Sequence, residues 1–251
     1  MPAAEHRAGD SIPAVFTLYR PEPESVRDAR FDESLLALAL RDGPTACVWE
    51  TASSLVVPRS YRRFDAFEGA CRQFAEMGWP VTVRQTGGGI VPQGPGIVNL
   101  SLAYRVSGMP MRHSEAGYRL ICRLLAHALS GMGIESFPAP VEGSFCDGRY
   151  NLALRLHAAT VKVAGTAQMW RRVPGPTEGH VGLVHALVLV DVDTTLLTET
   201  ANAFEAAIGS ERRYLPDRVV SVAEVLGFPQ GVCRHFRQAV EHSVSSLAQM
   251  G

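Results

Sequence analysis

The sequence contains almost no lysine. Of the 24 lysine and arginine residues in 251, a single one, Lys162, is lysine. Arginine carries a planar, permanently charged guanidinium, whereas lysine carries a compact ammonium whose pKa shifts readily on burial. Since arginine serves at every other basic position, the one position that keeps an ammonium is predicted to need it for chemistry.

Other absences exclude several classes of protein. The formal net charge is −1 and no basic block is interleaved with aromatic residues, so we expect no nucleic-acid partner. The longest apolar run, residues 184–190, is too short to span a membrane, and the first ten residues lack the apolar core of a secretory signal. We therefore expect a cytoplasmic protein without a membrane partner. Five cysteines without CxxC or Cys/His spacing predict reduced thiols and no metal site.

The apolar periodicity predicts an α+β (mixed α/β) fold, with a central mixed sheet backed by helices. Helices and strands do not alternate as regularly as in a doubly wound sheet. We expect an N-terminal arm (1–30) and a single domain (31–251) whose part 200–251 is helical. Predicted strands are 14–19, 45–50, 79–83, 97–104, 150–157, 160–164 and 181–190. Predicted helices are 31–41, capped by Asp32, and 67–77, 114–132, 204–208, 221–226 and 232–250.

A loop with five glycines in thirteen residues, 84–96, lies between two predicted strands. Glycine lets backbone N–H groups approach the carbonyl or phosphate oxygens of a ligand closely. The loop matches neither GxGxxG opening a helix nor a P-loop. Arg84, directly before the glycines, offers charge for a carboxylate or phosphate. The pattern indicates either a ligand cradle or a structural turn.

Lys162 stands on a predicted strand and is followed by small residues. An ammonium above such a floor could stabilise the charge that develops in acyl transfer, although a strand lysine is more often solvated. Cys146 lies sixteen residues earlier in a predicted loop. It is a nucleophile only if the fold brings a positive charge close, and an inert thiol otherwise. His185, on an apolar strand, is typical of a satisfied core histidine.

Five segments resemble, in order and approximate spacing, the lipoate-protein ligase and octanoyltransferase family, which also contains biotin-protein ligases. They are residues 84–91 (RQTGGGIV), 147–152 (DGRYNL), 162–168 (KVAGTAQ), His185, and 189–193 (LVDVD). The similarity covers roughly residues 30 to 195. It implies a mixed sheet backed by helices and a hydrophobic tunnel for the acyl chain.

The resemblance also implies roles for residues and partners. Lys162 would be the essential ammonium near the acyl carbonyl. The implied binding residues for the acyl group or adenylate are Arg84, Gly87, Gly88, Gly89, Gln93, Asn151, Gly165, Thr166, Ala167 and His185. The acceptor would be a lysine of a lipoyl-carrier domain, from the E2 of a 2-oxoacid dehydrogenase or a glycine cleavage H-type protein. An acyl carrier protein is a possible donor.

Departures from the family pattern bear on the reaction. Ligases of the family usually carry His where this chain has Gln93. They also carry Asn-Asp where it has Tyr150-Asn151, and that acid helps to hold magnesium and adenylate. We expect no separate C-terminal accessory domain after the last helices. Conversely, the turn at residues 94–96 resembles that of octanoyltransferases, and Cys146 lies near the nucleophile of cysteine-dependent members.

Two enzymatic interpretations and two alternatives follow. A ligase would use ATP and Mg²⁺ to attach a lipoyl or octanoyl group to a carrier lysine. A transferase would take octanoyl from an acyl carrier protein as a thioester on Cys146, without cofactor. A non-catalytic module that binds an acyl group, an adenylate or a carrier protein is a further alternative, and a biotin ligase is another.

Overall fold

The computed structural model describes residues 12–85, 87–174 and 179–250. The strands in these ranges are β1 (Thr17–Leu18), β2 (Thr45–Trp49), β3 (Ser54–Pro58), β4 (Val81–Arg84), β5 (Val91–Gln93), β6 (Ile97–Ser107), β7 (Phe137–Pro138), β8 (Leu152–Leu156), β9 (Ala159–Val173) and β10 (Gly179–Leu189). The α-helices are α1 (Leu35–Asp42), α2 (Phe67–Glu76), α3 (Met111–Ser130), α4 (Thr194–Ala207), α5 (Val222–Leu226) and α6 (Val232–Ser245). None of these helices is long and apolar enough to cross a membrane.

The larger sheet has seven strands in the order β1-β2-β6-β10-β9-β8-β7. Its first pair is parallel and its other pairs are antiparallel, so the predicted mixed sheet is confirmed. The predicted strands 150–157, 160–164 and 181–190 lie in this one sheet. Strand β9 runs on to Val173 because β10 pairs with it from Ala164 to that residue.

Alternation along β10 separates the two faces of this sheet. Val184 and Val188 point into the main core, which α3 and α6 cover. Leu183 and Leu187 belong to separate apolar clusters on the opposite face. Because neighbouring side chains of a strand point to opposite faces, every second residue of β10 faces this opposite side, where the cavity lies.

A smaller sheet, in the order β4-β3-β5, lies over that opposite face. It packs with α2 and α4 around aromatic residues such as Phe74 and Phe204, whose ring centroids are 5.1 Å apart. Strands β3 and β5 were not predicted. Pro92 within β5 and Pro58 at the end of β3 weaken a strand pattern, since proline donates no ladder hydrogen bond.

Two details of the predicted helices are wrong. Residues 29–34 form a 3-10 helix capped by Asp28, and Asp32 is instead buried with its carboxylate facing His185. Helix α4 begins at Thr194, capped by Asp193, ten residues before the predicted start. The capping box of α5, from Ser221 and Glu224, is confirmed. Of the predicted arm, residues 1–11 lie outside the described ranges.

Candidate active site

A narrow cavity of about 90 Å³ opens between the two sheets. One side, here called the sheet wall, consists of the β9 and β10 residues Lys162, Gly165, Ala167, His185 and Leu187. The other side, here called the loop wall, consists of Arg84 and the segment Phe145–Cys146, which line the cavity, together with the glycine loop (residues 87–90), which lies against Cys146 without itself lining the cavity. Apolar side chains, among them Val56, Val91, Met169, Leu183 and Leu189, line most of the remainder. The cavity is therefore a largely apolar channel in which polar and charged side chains, Lys162, Arg84 and His185 among them, stand at intervals.

Lys162 is 3% exposed, and its ammonium is held by backbone carbonyls. The Nζ atom donates to the carbonyl of Phe145 and, at 3.3 Å, to that of Cys146. A Cβ added at Gly165 would lie 3.1 Å from Nζ, so the small residue makes room for the ammonium. Burial lowers the pKa of Lys162 to about 8, and the nearby Cys146 and Asp147 oppose that shift. At neutral pH the group is therefore mostly charged and close to its titration range.

Cys146 is a half-buried free thiol in the loop before β8. Its backbone adopts φ of 48°, a left-handed conformation that is uncommon outside glycine. The side-chain amide of Asn151 donates to the Cys146 carbonyl at 3.2 Å. A Cβ added at Gly88 would overlap the Cys146 sulfur. The thiol thus lies directly against the glycine loop and close to the Lys162 ammonium.

Arg84, at the end of β4, holds the glycine loop in shape. Its guanidinium donates to the carbonyls of Val56 at 3.1 Å, Gly87 at 2.9 Å and Gly89 at 2.7 Å. Burial lowers the pKa of Arg84, but an arginine remains charged at neutral pH. Thr86 lies outside the described residues. The N–H groups of Gly88 and Gly89 donate to no protein acceptor in the described ranges.

His185 lies deeper along the sheet wall, opposite Ala167 in the β9–β10 ladder. Its Nδ1 atom is 3.2 Å from an Asp32 carboxylate oxygen and 3.1 Å from the Ser101 hydroxyl. The Trp49 indole donates to the same hydroxyl at 3.0 Å. His185 is thus a satisfied histidine that also lines the cavity.

The remaining predicted residues take supporting positions. Gln93 is 2% exposed and exchanges two amide hydrogen bonds with Asn99, at 2.9 and 3.1 Å. Thr166 donates its hydroxyl to the Tyr150 carbonyl at 2.8 Å. Both residues also line the cavity. The fold therefore gathers Lys162, Cys146 and the residues of the glycine loop at one end of it.

Four residues beside the loop wall were missed by sequence reasoning: Tyr61, Glu205, Arg212 and Tyr214. Glu205 is fully buried and accepts hydrogen bonds from both tyrosine hydroxyls. A signal for Glu205 exists, because it shares a helical face with Ala201 and Ile208, where an apolar residue is expected. The tyrosines and the arginine show no such pattern.

No group of three or more His, Cys, Asp or Glu side chains in the described part of the chain is arranged to hold a metal ion. At the position where ligases of the resembled family carry an acid, Asn151 is neutral and its amide already donates to Cys146. Asn151 therefore supplies no carboxylate to a magnesium ion at this position.

Comparison with known proteins gives consistent results. Residues 27–245 match the model of the lipoyl protein ligase A/B catalytic domain. An uncharacterized protein of Cupriavidus necator is 48% identical over 198 residues, which cover 77% of this chain and 78% of the relative. An octanoyl-[GcvH]:protein N-octanoyltransferase of Kyrpidia tusciae is 31% identical over 207 residues, covering 81% of this chain and 69% of the relative.

Solved structures share the fold at lower identity. A lipoate-protein ligase A bound with ATP has a TM-score of 0.64 and 18% identity, over 94% of this chain and 84% of the other. The bipartite lipoate-protein ligase of Thermoplasma acidophilum, studied with its E2 lipoyl domain, has a TM-score of 0.59 and 18% identity over the same shares. These likenesses establish the fold.

Proposed function

Because the chain belongs to the lipoyl protein ligase A/B catalytic-domain family, we propose that it transfers an octanoyl or lipoyl group to a carrier-domain lysine through a thioester on Cys146. Its activity is acyl transfer in protein lipoylation, as in relatives named octanoyltransferases. The acyl group passes through a covalent enzyme intermediate, and no ATP-derived adenylate is formed.

The observation that carries the route is the position of the Cys146 thiol. The sulfur lies against Gly88, and the loop that holds it is tied to Lys162 by two carbonyl hydrogen bonds. A nucleophilic cysteine requires a positive neighbour, and the Lys162 ammonium, which donates to the carbonyls of Phe145 and Cys146, is one. A thioester route requires a thiol at such a place, whereas an adenylate route does not.

The reaction proceeds in two balanced steps. The Cys146 thiolate attacks the acyl carbonyl of the donor, the donor's thiol or amine leaves with a proton, and an acyl-thioester remains on the sulfur. The acceptor lysine amine then attacks this thioester, an amide forms, and the Cys146 thiolate is released. The free N–H groups of Gly88 and Gly89 stabilise the oxyanion of each tetrahedral intermediate. Lys162, with a pKa of about 8, can give a proton to the leaving group and recover it from the attacking amine.

The donor is a carrier-bound acyl group. Relatives named octanoyl-[GcvH]:protein N-octanoyltransferase favour an octanoylated glycine cleavage H-type protein, and octanoyl-acyl carrier protein is the second source. Neither donor requires ATP. The channel of apolar side chains between the sheets accommodates the hydrocarbon chain of either one.

The test is intact-mass spectrometry of an apo lipoyl-carrier domain incubated with the protein. Three arms supply octanoate or lipoate with Mg-ATP, octanoyl-acyl carrier protein, or octanoylated H-type protein. We expect a mass gain of one octanoyl group only in a carrier-bound arm, together with an acylated form of the enzyme. A gain only with ATP would establish a ligase and leave Cys146 without a role. No gain in any arm would favour a non-catalytic binding module.

A further inference from the structure

A cluster of hydrogen-bonded side chains, here called the tyrosine unit, comprises the buried residues Tyr61, Glu205 and Tyr214 and the exposed Arg212. We infer that the tyrosine unit positions the glycine loop against the Cys146 thiol, so that the loop N–H groups meet the reacting carbonyl. This inference rests on the proposed thioester route. Tyr61 joins three members from residues 205–214, far from it in sequence, and none of the four lines the cavity.

Glu205 is the centre of the unit. It lies on α4 with no exposed surface, and one carboxylate oxygen accepts the hydroxyl of Tyr61 and, at 2.9 Å, that of Tyr214. Burial first, and then the hydrogen bond to Glu205, raise the pKa of Tyr61, so its hydroxyl stays protonated. Because that proton points at the carboxylate, the lone pairs of the Tyr61 oxygen face the other way.

Those lone pairs hold the glycine loop. The Tyr61 oxygen accepts the Ile90 backbone N–H at 3.1 Å and the Arg212 guanidinium at 3.3 Å. Arg212 also donates to the Gly88 carbonyl at 3.3 Å. Together with Arg84, the unit therefore occupies the carbonyls of three consecutive glycines, and the N–H groups of Gly88 and Gly89 are left for the substrate.

The unit also contacts the nucleophile's own segment. The ring of Tyr214 packs against that of Phe145, the residue before Cys146, with centroids 5.5 Å apart. A Cβ added at Gly89 would lie 2.7 Å from the Tyr214 hydroxyl and 3.7 Å from the Cys146 backbone nitrogen. Gly89 is thus confined between the unit and the cysteine. A shift of the unit must move the loop relative to the thiol.

The test compares two buried tyrosines that differ in one respect. Tyr61→Phe removes the hydroxyl that holds Ile90, whereas Tyr104→Phe removes a buried hydroxyl that has no partner in the described ranges. Two rates are measured at Cys146 by peptide mass mapping: acylation in a single turnover from the donor identified above, and alkylation by iodoacetamide. Thermal unfolding checks that both variants are folded.

We expect Tyr61→Phe to acylate at least about tenfold more slowly at saturating donor, with little change in KM, because misplacement by about 1 Å can cost a hundredfold. Alkylation should become faster, since the glycine loop would no longer pack against the Cys146 sulfur and shield it from the reagent. Tyr104→Phe should match the wild type in both rates. Slower acylation together with faster alkylation indicates a positioning role. Partial unfolding or a damaged thiol would instead change both rates in the same direction.

Other outcomes contradict the inference. Acylation at the wild-type rate in Tyr61→Phe, or an equal loss in Tyr104→Phe, would show that the unit is only structural. Tyr214→Phe, which removes the second phenol from the same carboxylate oxygen, should repeat the divergence and replaces Tyr61→Phe if that variant fails to fold. If the wild type forms no acylated Cys146, the proposed route fails, while the alkylation rates still report whether the unit sets the loop.

Discussion

The two walls of the cavity hold their polar groups by different means. On the sheet wall, Lys162 and His185 stand on strands whose backbones are paired on both sides, so the ladders fix where each side chain begins. On the loop wall, Cys146 and the glycines lie in irregular backbone. Two arginines hold the glycine backbone in place: Arg84, directly before the loop, and Arg212, which is 124 residues from Gly88.

The contrast extends to the two buried cations. Arg84 donates to three carbonyls as a rigid fork and keeps its charge, so it serves the shape of the loop. Lys162 places a compact ammonium against the Phe145 and Cys146 carbonyls, with a pKa of about 8. In the proposed route, the one lysine of a chain that otherwise uses arginine stands where a proton has to move.

Loss of the nucleophile on the loop wall should have the largest effect. Cys146→Ser places a poor nucleophile against the loop, and we expect carrier-domain acylation to fall by about 10³-fold or more. Cys71→Ser, at a half-buried thiol on α2 outside the cavity, is the control and should retain activity. The rate of carrier mass gain measures both variants. An active Cys146→Ser enzyme would point to a ligase.

Replacing the Lys162 ammonium with a guanidinium tests the sheet wall. Lys162→Arg keeps the positive charge, but a guanidinium does not fit between two backbone carbonyls and the surface of Gly165. We expect kcat/KM to fall by about 10²- to 10³-fold, because the arginine would not exchange a proton with the leaving group and the attacking amine. Unchanged thermal unfolding would assign the loss to chemistry. Activity near that of the wild type would show that any positive charge suffices there.

The buried ammonium also predicts a dependence of stability on pH. The pKa of Lys162 is about 8 in the folded protein and near its ordinary value of 10.5 in the unfolded chain. The free-energy cost of burying the charged ammonium is therefore fully present below pH 8. Between pH 8 and 10.5 the unfolded chain binds more protons, and the free energy of unfolding rises with pH.

We expect this rise to total about 3 kcal/mol, since each pKa unit corresponds to ~1.4 kcal/mol. The measurement is denaturant unfolding of the wild type and of Lys162→Met from pH 7 to 11. The difference between the two proteins isolates the lysine from other groups that titrate in this range. A pH-independent difference would mean that the ammonium is not desolvated as the structure indicates.

A small change on the loop wall should give the smallest effect on activity. Gly88→Ala adds a methyl group that overlaps the Cys146 sulfur, at a φ of 105°. Gly78→Ala is the matched control, because its φ is 84° and no atom lies within 4 Å of the added Cβ. Both variants should lose about 1 kcal/mol of stability from backbone strain.

Only Gly88→Ala should slow acylation of Cys146, by roughly tenfold. Single-turnover acylation with denaturant unfolding separates the two effects. Equal acylation rates in the two variants would show that the glycine loop takes no part in the reaction.

Much of this molecule follows from local pattern. The long helices α3 and α6, the strands β2, β6 and β10, and the capping box of α5 were all predicted, because their apolar spacing and caps are local properties. Lys162 stood out by composition alone. The resemblance of the ordered motifs to the lipoate ligase and octanoyltransferase family was confirmed by the family model over residues 27–245.

Other features depend on contacts between distant residues. Asp32 has the pattern of a helix cap, yet it faces His185 because the 3-10 helix turns it into the cavity. Strands β3 and β5 form a sheet despite their prolines, since α2 and α4 give that sheet an apolar layer to pack against.

The sequence by itself determined which residues could do chemistry: one lysine among arginines, a cluster of glycines and a cysteine beside a recognisable motif. Only the tertiary structure decided which of them meet. The hydrogen bonds from Lys162 to residues 145 and 146, and from Tyr61 to Glu205, join positions 16 to 144 residues apart. The physical reason is that periodicity and capping act over a few residues, whereas burial of a charge and its partners depends on the packing of the whole chain.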